Sequence, residues 1–297
     1  MAPLAPVTII INPIAGASGR NRGQSRARIA RHVAAAARVD ARVIVTDGPG
    51  HARALARDAA ASVARAVIAW GGDGTINEVA SELAFGPVPL GIVPAGSGNG
   101  LARDLAIDRR PARAIAAAVR SEARAIDVGE IEGRLFVNMA GAGADAHVAS
   151  RFNAPDNPRR GFLGYVRITL RVLRSYVPAL YRIATPESTI EIRALLVTLA
   201  NSSQFGNGAR IAPGARLDDG LLDLVIVGER SAFKALCHAP RLFTGGAERI
   251  PGCRIQRVTE VTIEADQPMT FHVDGEPCEG GARLHARVHP GALLVLA

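Results

Sequence analysis

The sequence predicts an N-terminal α/β domain with a parallel sheet, residues 1–126, followed by a mainly antiparallel β-sandwich domain, residues 127–297. Up to about residue 126, apolar strand-like runs alternate with helical patterns, which is typical of a parallel sheet covered by helices. Beyond Asp127 the pattern changes to short β-rich runs separated by turn residues, as in antiparallel sandwiches. The length of 297 residues suits two domains.

Individual elements follow from apolar periodicity and from start and stop residues. In the first domain we predict strands at 7–12, 41–46, 65–70 and 88–93. We predict helices there at 21–37, 51–63, 75–84, 98–106 and 111–120, the last beginning at Pro111. In the second domain we predict strands at 127–131, 134–140, 189–200, 222–228, 257–264, 269–274, 284–288 and 292–296, and one helix at about 160–177.

Composition narrows the class of protein. No apolar run approaches the ~18 residues of a membrane span, and the N-terminus lacks the positive segment of a signal peptide. The three cysteines have no metal-binding spacing, so we expect a reducing, cytoplasmic setting. The net charge of +8 suits ATP or anionic lipid, whereas only 4% aromatic residues and no recognised motif argue against nucleic acid as a partner.

The stretch Gly71-Gly72-Asp73-Gly74 lies between a predicted strand and a predicted helix. Thr75 and Glu78 have the spacing of a capping box, which predicts that the helix begins at Thr75. Glycines at a helix N-terminus let main-chain N–H groups approach a phosphate closely. A carboxylate facing phosphates is reasonable if Mg²⁺ lies between them, so Asp73 is a candidate phosphate-and-metal residue.

Two more glycine loops follow predicted strands: Asn12 to Gly19, and Pro94 to Gly100. Ser97 in the latter can act as a helix N-cap or bond a phosphate directly. Ligands of open α/β sheets bind outside the carboxyl ends of the strands. Three such loops therefore predict a phosphate-ligand site at that edge.

Other motifs in the sequence have structural explanations. Gly141 to Ala146 has the pattern of a dinucleotide-binding fingerprint but lacks the βαβ unit and acidic residue that should follow, and no P-loop motif is present. His272, His285 and His289 alternate with apolar residues and fit ordinary strand positions.

Two acidic turns have both a structural and a functional interpretation. Asp218-Asp219-Gly220 is either a hairpin turn or part of a site for a hard cation. The turn Asp274-Gly275-Glu276 follows a strand, which is a good way to aim an acid at a cleft.

The helix predicted at 160–177 is amphipathic and basic. Its apolar stripe consists of Leu163, Val166, Leu170, Leu173 and Val177, and another face carries Arg160, Arg167, Arg171 and Arg174. It either packs one face in the domain core with a solvated arginine face, or lies on an anionic membrane.

Taken together, these motifs resemble the diacylglycerol kinase catalytic-domain family of lipid kinases, which includes sphingosine and ceramide kinases. The matching residues are Asn12-Pro13 with Gly16, Gly71 to Glu78, Pro94 to Asn99, Asp218 to Leu221, and Asp274 to Glu276. GGDGT alone is shared with NAD kinases and phosphofructokinases, whereas the later loop and the DGE turn indicate the lipid branch. Gly100 stands where many bacterial members have Asp, and the GSGNG form resembles the sphingosine-kinase-like branch.

The resemblance implies an ATP-dependent kinase that phosphorylates a lipid hydroxyl, with Mg²⁺. It implies Glu276 as proton acceptor, Asp274 as its support and Asp73 as the residue acting on Mg²⁺·ATP. It implies nucleotide contacts from Asn12, Thr46, Gly71, Gly72, Asp73, Gly74, Thr75, Asn77, Glu78, Ser97 and Gly98. It also implies a second Mg²⁺ held by the Arg216 carbonyl, Asp219 and the Leu221 carbonyl.

Three functions stay open at this point. They are a lipid kinase, an NAD kinase, and a non-catalytic nucleotide- or lipid-binding regulator. We expect a lipid partner at the membrane surface, peripheral contact with the inner face of the membrane, and no transmembrane segment. A homodimer is one candidate for the oligomeric state.

Overall fold

The computed structural model describes residues 6–16, 22–62, 64–154, 162–206, 208–230 and 237–297, and divides the chain into two compact units. The first consists of Met1–Ile126 with Gly291–Ala297, and the second of Asp127–Pro290. The sequence assigned all of 127–297 to the second domain. Residues 291–297 belong instead to the first unit, because Val295 and Leu296 pair with a strand of its sheet.

The first unit is built on a parallel sheet, as predicted. Its strands are β1 (Val7–Ile11), β2 (Ala41–Val45), β3 (Ala66–Gly71) and β4 (Leu90–Pro94). They pair in parallel in the order β2-β1-β3-β4, and the end of β17 (Arg283–Leu296) adds a parallel strand beside β4. The strands β1, β3 and β4 are buried along their whole length, as expected for a sheet covered on both faces.

The helices described in this unit are α1 (Arg22–Ala36), α2 (His51–Ala61), α3 (Asp73–Leu83), α4 (Gly100–Asp104) and α5 (Pro111–Ala118). Helices α1 and α5 pack against the core of this unit largely through alanines. In α1 the buried residues Gly23, Ala27, Ala30 and Ala34 recur at intervals of three or four, which places them on one face. Such small side chains let the helix approach the sheet closely.

The second unit is mainly antiparallel β structure, and the pairings described within it are antiparallel. Its first strands are β5 (Ala123–Ile131), which begins in the first unit, β6 (Arg134–Phe136), β7 (Met139–Gly143), β8 (Ala179–Ala184), β9 (Thr189–Ala200), β10 (Gln204–Gly206) and β11 (Ala209–Arg210). The later ones are β12 (Leu222–Gly228), β13 (Cys253–Val258), β14 (Glu260–Ala265), β15 (Thr270–Val273), β16 (Glu276–Glu279) and β17.

Several element predictions need correction. The runs 134–140 and 257–264 are each two strands, whereas 284–288 and 292–296 are one. The prediction missed helix α6 (Ala144–Asn153) and the short α8 (Pro240–Phe243). Helix α6 follows β7, but β7 pairs antiparallel with β9 and β15, so the fingerprint-like segment is no βαβ unit.

Helix α7 (Phe162–Ser175) replaces the predicted 160–177, and Arg160 lies outside the described residues. Its packed face differs from the predicted stripe. Val172, with Tyr165 and Ile168, joins a cluster that includes residues of α6 and β9, whereas Val177 is 78% exposed. Leu173 of the predicted stripe packs against the same cluster, whereas Val166 and Leu170 are half-buried beside it. The sequence alone does not show which apolar face meets the sheet. Within the part of the chain that the structure describes, no helix has the length and apolarity to cross a membrane.

Candidate active site

In the first unit, three glycine loops meet at the carboxyl edge of the parallel sheet. The loops follow β1, β3 and β4, which are neighbours in the sheet. A Cβ added to Gly16 would lie 2.0 Å from the Ala95 carbonyl oxygen, and one added to Gly96 would lie 2.8 Å from the Gly72 Cα. Only glycine permits backbones to approach this closely. The three loops are therefore packed against one another, as the sequence predicted for strand ends at one edge.

The carboxylate of Asp73 connects the second loop to the third. Its Oδ2 accepts a hydrogen bond from the Asn99 N–H at 2.9 Å, and its Oδ1 accepts one from the Gly100 N–H at 2.8 Å. Burial raises the pKa of Asp73 above its usual value, although these main-chain N–H groups act in the opposite direction. Burial thus destabilises the ionised carboxylate more than the N–H groups stabilise it. A bound cation would stabilise the ionised form.

The first loop is held by hydrogen bonds to side chains of α3 and α1. Asn12 Nδ2 donates to Thr75 Oγ1 at 2.9 Å, and Asn12 Oδ1 accepts from the Ile14 N–H. The Arg26 guanidinium donates to the Asn12 and Ala15 carbonyls and stacks over the Trp70 ring at 5.6 Å. Sequence reasoning missed Arg26, since nothing local distinguishes it from the other arginines of α1.

The predicted capping box is wrong. Helix α3 begins at Asp73 rather than Thr75, and its N-cap is Gly72. The Glu78 carboxylate instead accepts the N–H groups of Gly50 and Arg53, at the N-terminus of the neighbouring helix α2. Two successive glycines let the helix begin earlier than the capping pattern suggested.

The third loop also differs from its prediction. The N-cap of α4 is Asn99, in the left-handed region, so Ser97 does not cap this helix. Asn99 closes the loop by bonding both the N–H and the carbonyl of Gly96 through its side chain. Ser97 is exposed at the tip, where its hydroxyl is accessible to a ligand.

The remaining predicted nucleotide residues divide by exposure. Thr46, Thr75 and Asn77 are buried, whereas Gly74 is half-buried beside Asp73. Helix α3 therefore presents its first turn at the loops with a glycine N-cap that has no side chain to occupy the site. A helix N-terminus fits phosphate oxygens, so the residues present fit a phosphate-bearing ligand such as a nucleotide.

In the second unit, Asp274 and Gly275 form the turn between β15 and β16. Both have positive φ, 48° and 87°, and they connect the paired residues Val273 and Glu276. A two-residue hairpin loop with both positions left-handed is a type I′ turn, which Asp-Gly favours. Glu276 is exposed at the start of β16, directly after the turn.

The Asp274 carboxylate is buried and accepts three main-chain hydrogen bonds. They come from the N–H groups of Val137, Asn138 and Met139, at 2.8 to 2.9 Å. These bonds explain why the predicted strand 134–140 is interrupted: the N–H groups between β6 and β7 bind a carboxylate. Asp274 therefore fixes the hairpin to the strand beside it.

The Asp219 carboxylate lies in the predicted metal loop. Asp219 Oδ1 accepts the Leu221 N–H at 3.2 Å, and its Oδ2 lies 4.0 Å from the Arg257 guanidinium. A carboxylate with the main-chain carbonyls of Arg216 and Leu221 supplies the oxygen ligands that a hard cation prefers. Among the residues that the structure describes, no cluster of three or more His, Cys, Asp or Glu side chains could hold a metal. A cation in the second unit would therefore depend on such carbonyls.

Sequence reasoning missed a buried polar network that supports the hairpin. Asn138 Nδ2 donates to the Gln204 carbonyl, and the Ser202 hydroxyl donates to Asn138 Oδ1. Asn201 Nδ2 donates to the carbonyls of Asp127 and Val137. The signal that could have found it is the run Asn201-Ser-Ser-Gln204, four polar residues directly after a long apolar strand.

The Asp127 carboxylate belongs to the same region. Its Oδ2 accepts the Gly220 N–H at 2.6 Å, within the predicted metal loop. Asp127 is 2% exposed. The turn containing Asp219 and the segment that binds Asp274 are therefore connected through Asp127 and Asn201.

Comparisons with known proteins agree with this architecture. The family model "Diacylglycerol kinase catalytic domain" matches residues 6–131, and "YegS C-terminal NAD kinase beta sandwich-like domain" matches residues 138–297. A Pseudomonas aeruginosa protein described as a probable lipid kinase, YegS-like, is 33% identical over 280 residues, 93% of this chain and 91% of the relative. A protein of the same description from Chromohalobacter salexigens is 32% identical over 259 residues, 86% and 83% of the two chains.

A crystal structure of a candidate diacylglycerol kinase from Bacillus anthracis strain Sterne has a TM-score of 0.80 at 22% identity. The match covers 98% of this chain and 94% of that one. At this identity the likeness shows the fold. Together with the second family model, it confirms the predicted α/β domain and the β-sandwich-like domain that follows it.

Proposed function

Because this chain belongs to the YegS-like family, whose members carry a diacylglycerol kinase catalytic domain, we propose that it is an ATP-dependent lipid kinase. It transfers the γ-phosphoryl group of ATP to a lipid hydroxyl, with diacylglycerol or a related lipid, sphingoid lipids included, as acceptor. The observation that carries the proposal is the convergence of three glycine loops around the Asp73 carboxylate at the carboxyl edge of the parallel sheet.

In this proposal the first unit binds the nucleotide. The first turn of α3 and the exposed Ser97 would offer donors to phosphate oxygens, and Asp73 would hold the Mg²⁺ of the nucleotide. When bound, Mg²⁺ would neutralise charge on the transferred group. The second Mg²⁺ would be held by Asp219 and the carbonyls of Arg216 and Leu221, where it would stabilise the turn.

The second unit supplies the base. Glu276 accepts the proton of the lipid hydroxyl, and Asp274 supports it by fixing the turn from which it extends. In a loose phosphoryl-transfer transition state the hydroxyl proton leaves late, so an ordinary carboxylate suffices as base. Exposure of Glu276 suits this role because the acceptor hydroxyl must reach it.

Helix α7 suits contact with an anionic bilayer. Arg167, Arg171 and Arg174 are exposed on one face. Next to them lies a second apolar stripe that the core does not use, with Val166 and Leu170 half-buried. An arginine row beside partly exposed apolar residues is the pattern of a helix at a lipid surface. In this proposal the protein is cytoplasmic and meets its substrate at the inner face of the membrane.

The decisive experiment is a transfer assay with γ-labelled ATP and a panel of acceptors: diacylglycerol, sphingosine, ceramide and NAD⁺. We expect label on a lipid. We expect Glu276→Gln to lower kcat by about 100-fold or more, the usual contribution of a general base. Glu279→Gln, an exposed glutamate on the same strand, is the matched control and should stay within about twofold.

Two results would contradict the proposal. Label on NAD⁺ alone would make the protein an NAD kinase. ATP binding without transfer to any acceptor, together with unchanged binding by Asp73→Ala and Glu276→Ala, would support a non-catalytic regulator.

Membrane contact is tested by sedimentation with vesicles of phosphatidylglycerol or of phosphatidylcholine. The protein should bind the anionic vesicles, and replacing Arg167, Arg171 and Arg174 by Gln should abolish binding at low salt. Replacing three exposed arginines elsewhere, Arg28, Arg31 and Arg42, is the control for net charge. Equal loss of binding in both triple variants would mean that total charge, not α7, attracts the membrane.

A further inference from the structure

We infer that helix α6 sets the direction of the Glu276 side chain by clamping the Gly275 peptide groups, with His272 and Asn153 as positioning residues. The inference rests on the proposed role of Glu276 as base. His272 Nδ1 lies 3.4 Å from the Gly275 nitrogen, and Asn153 Nδ2 donates to the Gly275 carbonyl at 2.7 Å. The turn residue directly before Glu276 is thus held at both its N–H and its C=O.

The first arm of the clamp begins at Asp145 in the first turn of α6. Its Oδ1 accepts the Ala146 N–H at 2.9 Å, and its Oδ2 accepts the Thr198 hydroxyl at 2.7 Å. His272 Nε2 lies 3.3 Å from the same Oδ2. Asp145 and Thr198 are buried, so this arm has a fixed end.

These contacts select one tautomer of His272. An ionised carboxylate only accepts hydrogen bonds, so the Nε2 facing Asp145 carries the proton. The Gly275 N–H is a donor, so the Nδ1 facing it carries the lone pair. The two contacts therefore fit the Nε2–H tautomer of His272, in which Nδ1 accepts the Gly275 N–H.

The second arm is Asn153, the last residue of α6. It bonds the carbonyl of Gly275, which belongs to the peptide group that also contains the Glu276 nitrogen. The plane of that peptide group decides where the Glu276 Cβ points. Helix α6 therefore holds the hairpin at two places. Asp145, at the start of the helix, acts through His272 of β15, and Asn153, at its end, bonds the Gly275 carbonyl directly.

A clamp matters here because Glu276 is exposed and has a long, flexible side chain. Catalysis by a base depends on its holding the productive direction, and a supporting layer of hydrogen bonds supplies this. Asp274 fixes where the hairpin lies, and the clamp fixes the orientation of its last peptide group. Loss of the clamp should lower kcat and leave the KM for ATP unchanged.

The test combines kinetics with a double-mutant cycle. Asn153→Ala should lower kcat about fivefold to tenfold, the cost of loosening a positioned group. Ser150→Ala, an exposed residue of the same helix, should not change it. In the Glu276→Gln background Asn153→Ala should have no further effect, because there is no base left to direct.

His272 is tested by two variants and by spectroscopy. His272→Asn keeps an acceptor near the Nδ1 position, whereas His272→Gln keeps a donor near Nε2 and loses the acceptor. His272→Asn should therefore retain more of kcat than His272→Gln, with His285→Asn, an exposed strand histidine, as control. Imidazole ¹⁵N shifts of His272 should show the Nε2–H tautomer.

Two results would overturn the clamp. One is equal losses from Asn153→Ala in the wild-type and Glu276→Gln backgrounds, which would indicate a general structural role. The other is an Nδ1–H tautomer or an imidazolium at His272. If Glu276→Gln retains full kcat, the proposed base is wrong and the inference fails with it. Loss in Glu276→Gln alone, with no effect of the clamp variants, overturns the clamp and leaves the proposed function standing.

Discussion

Two aspartates beside glycines, one in each unit, use the same chemistry for different ends. Asp73 bonds the N–H groups of Asn99 and Gly100, which belong to a loop after a different strand. Asp274 bonds three consecutive N–H groups that lead into β7. Asp73 is half-buried at the meeting point of loops, whereas Asp274 is buried and lies two residues before Glu276, the proposed base.

The difference suits the two aspartates to different roles. At Asp73 burial outweighs the N–H bonds and raises the pKa, so a cation would stabilise the ionised form. At Asp274, three main-chain N–H groups donate hydrogen bonds to a buried carboxylate. We interpret Asp73 as a residue that meets the ligand and Asp274 as one that places its neighbour.

The largest effect should come from Asp274→Ala. It leaves three buried N–H groups without their acceptor, and we expect the free energy of unfolding to fall by about 3–5 kcal/mol. Urea unfolding followed by far-UV circular dichroism measures this. Asp266→Ala, an exposed aspartate between β14 and β15, is the control. Equal unfolding midpoints for the two variants would contradict the role given to Asp274.

Asp73→Asn should separate activity from stability. We expect kcat to fall about 100-fold through loss of the charge that faces Mg²⁺·ATP. The fold should be weakened little at pH 7, because removal of a buried charge offsets the loss of one of the two oxygen atoms that accept the N–H groups of Asn99 and Gly100. Fluorescence of Trp70, the single tryptophan, reports unfolding next to this loop. If Asp73→Asn lowers the free energy of unfolding as much as Asp274→Asn does, the proposed difference between the roles of the two aspartates is wrong.

The same variant gives a pH test. Since the pKa of Asp73 is raised in the folded unit, its contribution to stability is fully present below the usual aspartate pKa of about 4. That contribution is lost as pH rises through the folded pKa. Asp73→Asn should therefore flatten the decline of the Trp70 urea midpoint across this range.

A smaller effect should follow from Glu78→Ala. This variant tests whether side-chain hydrogen bonds stabilise the loop region of the first unit, as those of Asp274 stabilise the hairpin of the second. Loss of the cap on α2 should cost about 1 kcal/mol, seen in the Trp70 urea transition. Asp40→Ala is an exposed control in the same unit. The KM for ATP should stay unchanged. A rise in KM without loss of stability would favour the direct nucleotide contact that the family resemblance implied.

The smallest effect should come from Arg26→Lys. A lysine lacks the planar fork that bonds two carbonyls of the first loop, so one hydrogen bond is weakened. We expect the KM for ATP to rise about threefold, as the loss of a fraction of one hydrogen bond allows. Arg28→Lys, exposed on the same helix, is the control. No change in KM would mean that glycine packing alone holds the loop.

Local sequence predicted the features that depend on local chemistry. Continuous apolar runs that alternate with helical patterns predicted the parallel strands, and the position of Asp73 after β3 predicted its place among the loops. The sequence of Asp274-Gly275 gave a turn, and the structure adds its type. Each of these depends on residues within a few positions of one another.

The misses depend on partners far along the chain. Glu78 has the spacing of a cap for its own helix but caps another helix 25 or more residues away. His272 alternates with apolar residues as any strand histidine does, and its contact with Asp145 spans 127 residues. Periodicity shows that a side chain points inward and does not show which group it meets there.

The division of the chain has a consequence for its synthesis. Within the part of the chain that the structure describes, β4 receives its outer neighbour from Val295 and Leu296, which are made after the second unit. At cellular rates of translation the intervening roughly 200 residues take about 10–40 s. For that time β4 presents an open parallel edge, the kind of surface that pairs with other chains. The growing protein therefore depends on Val295 and Leu296, which follow the second unit, to cover this edge of its first sheet.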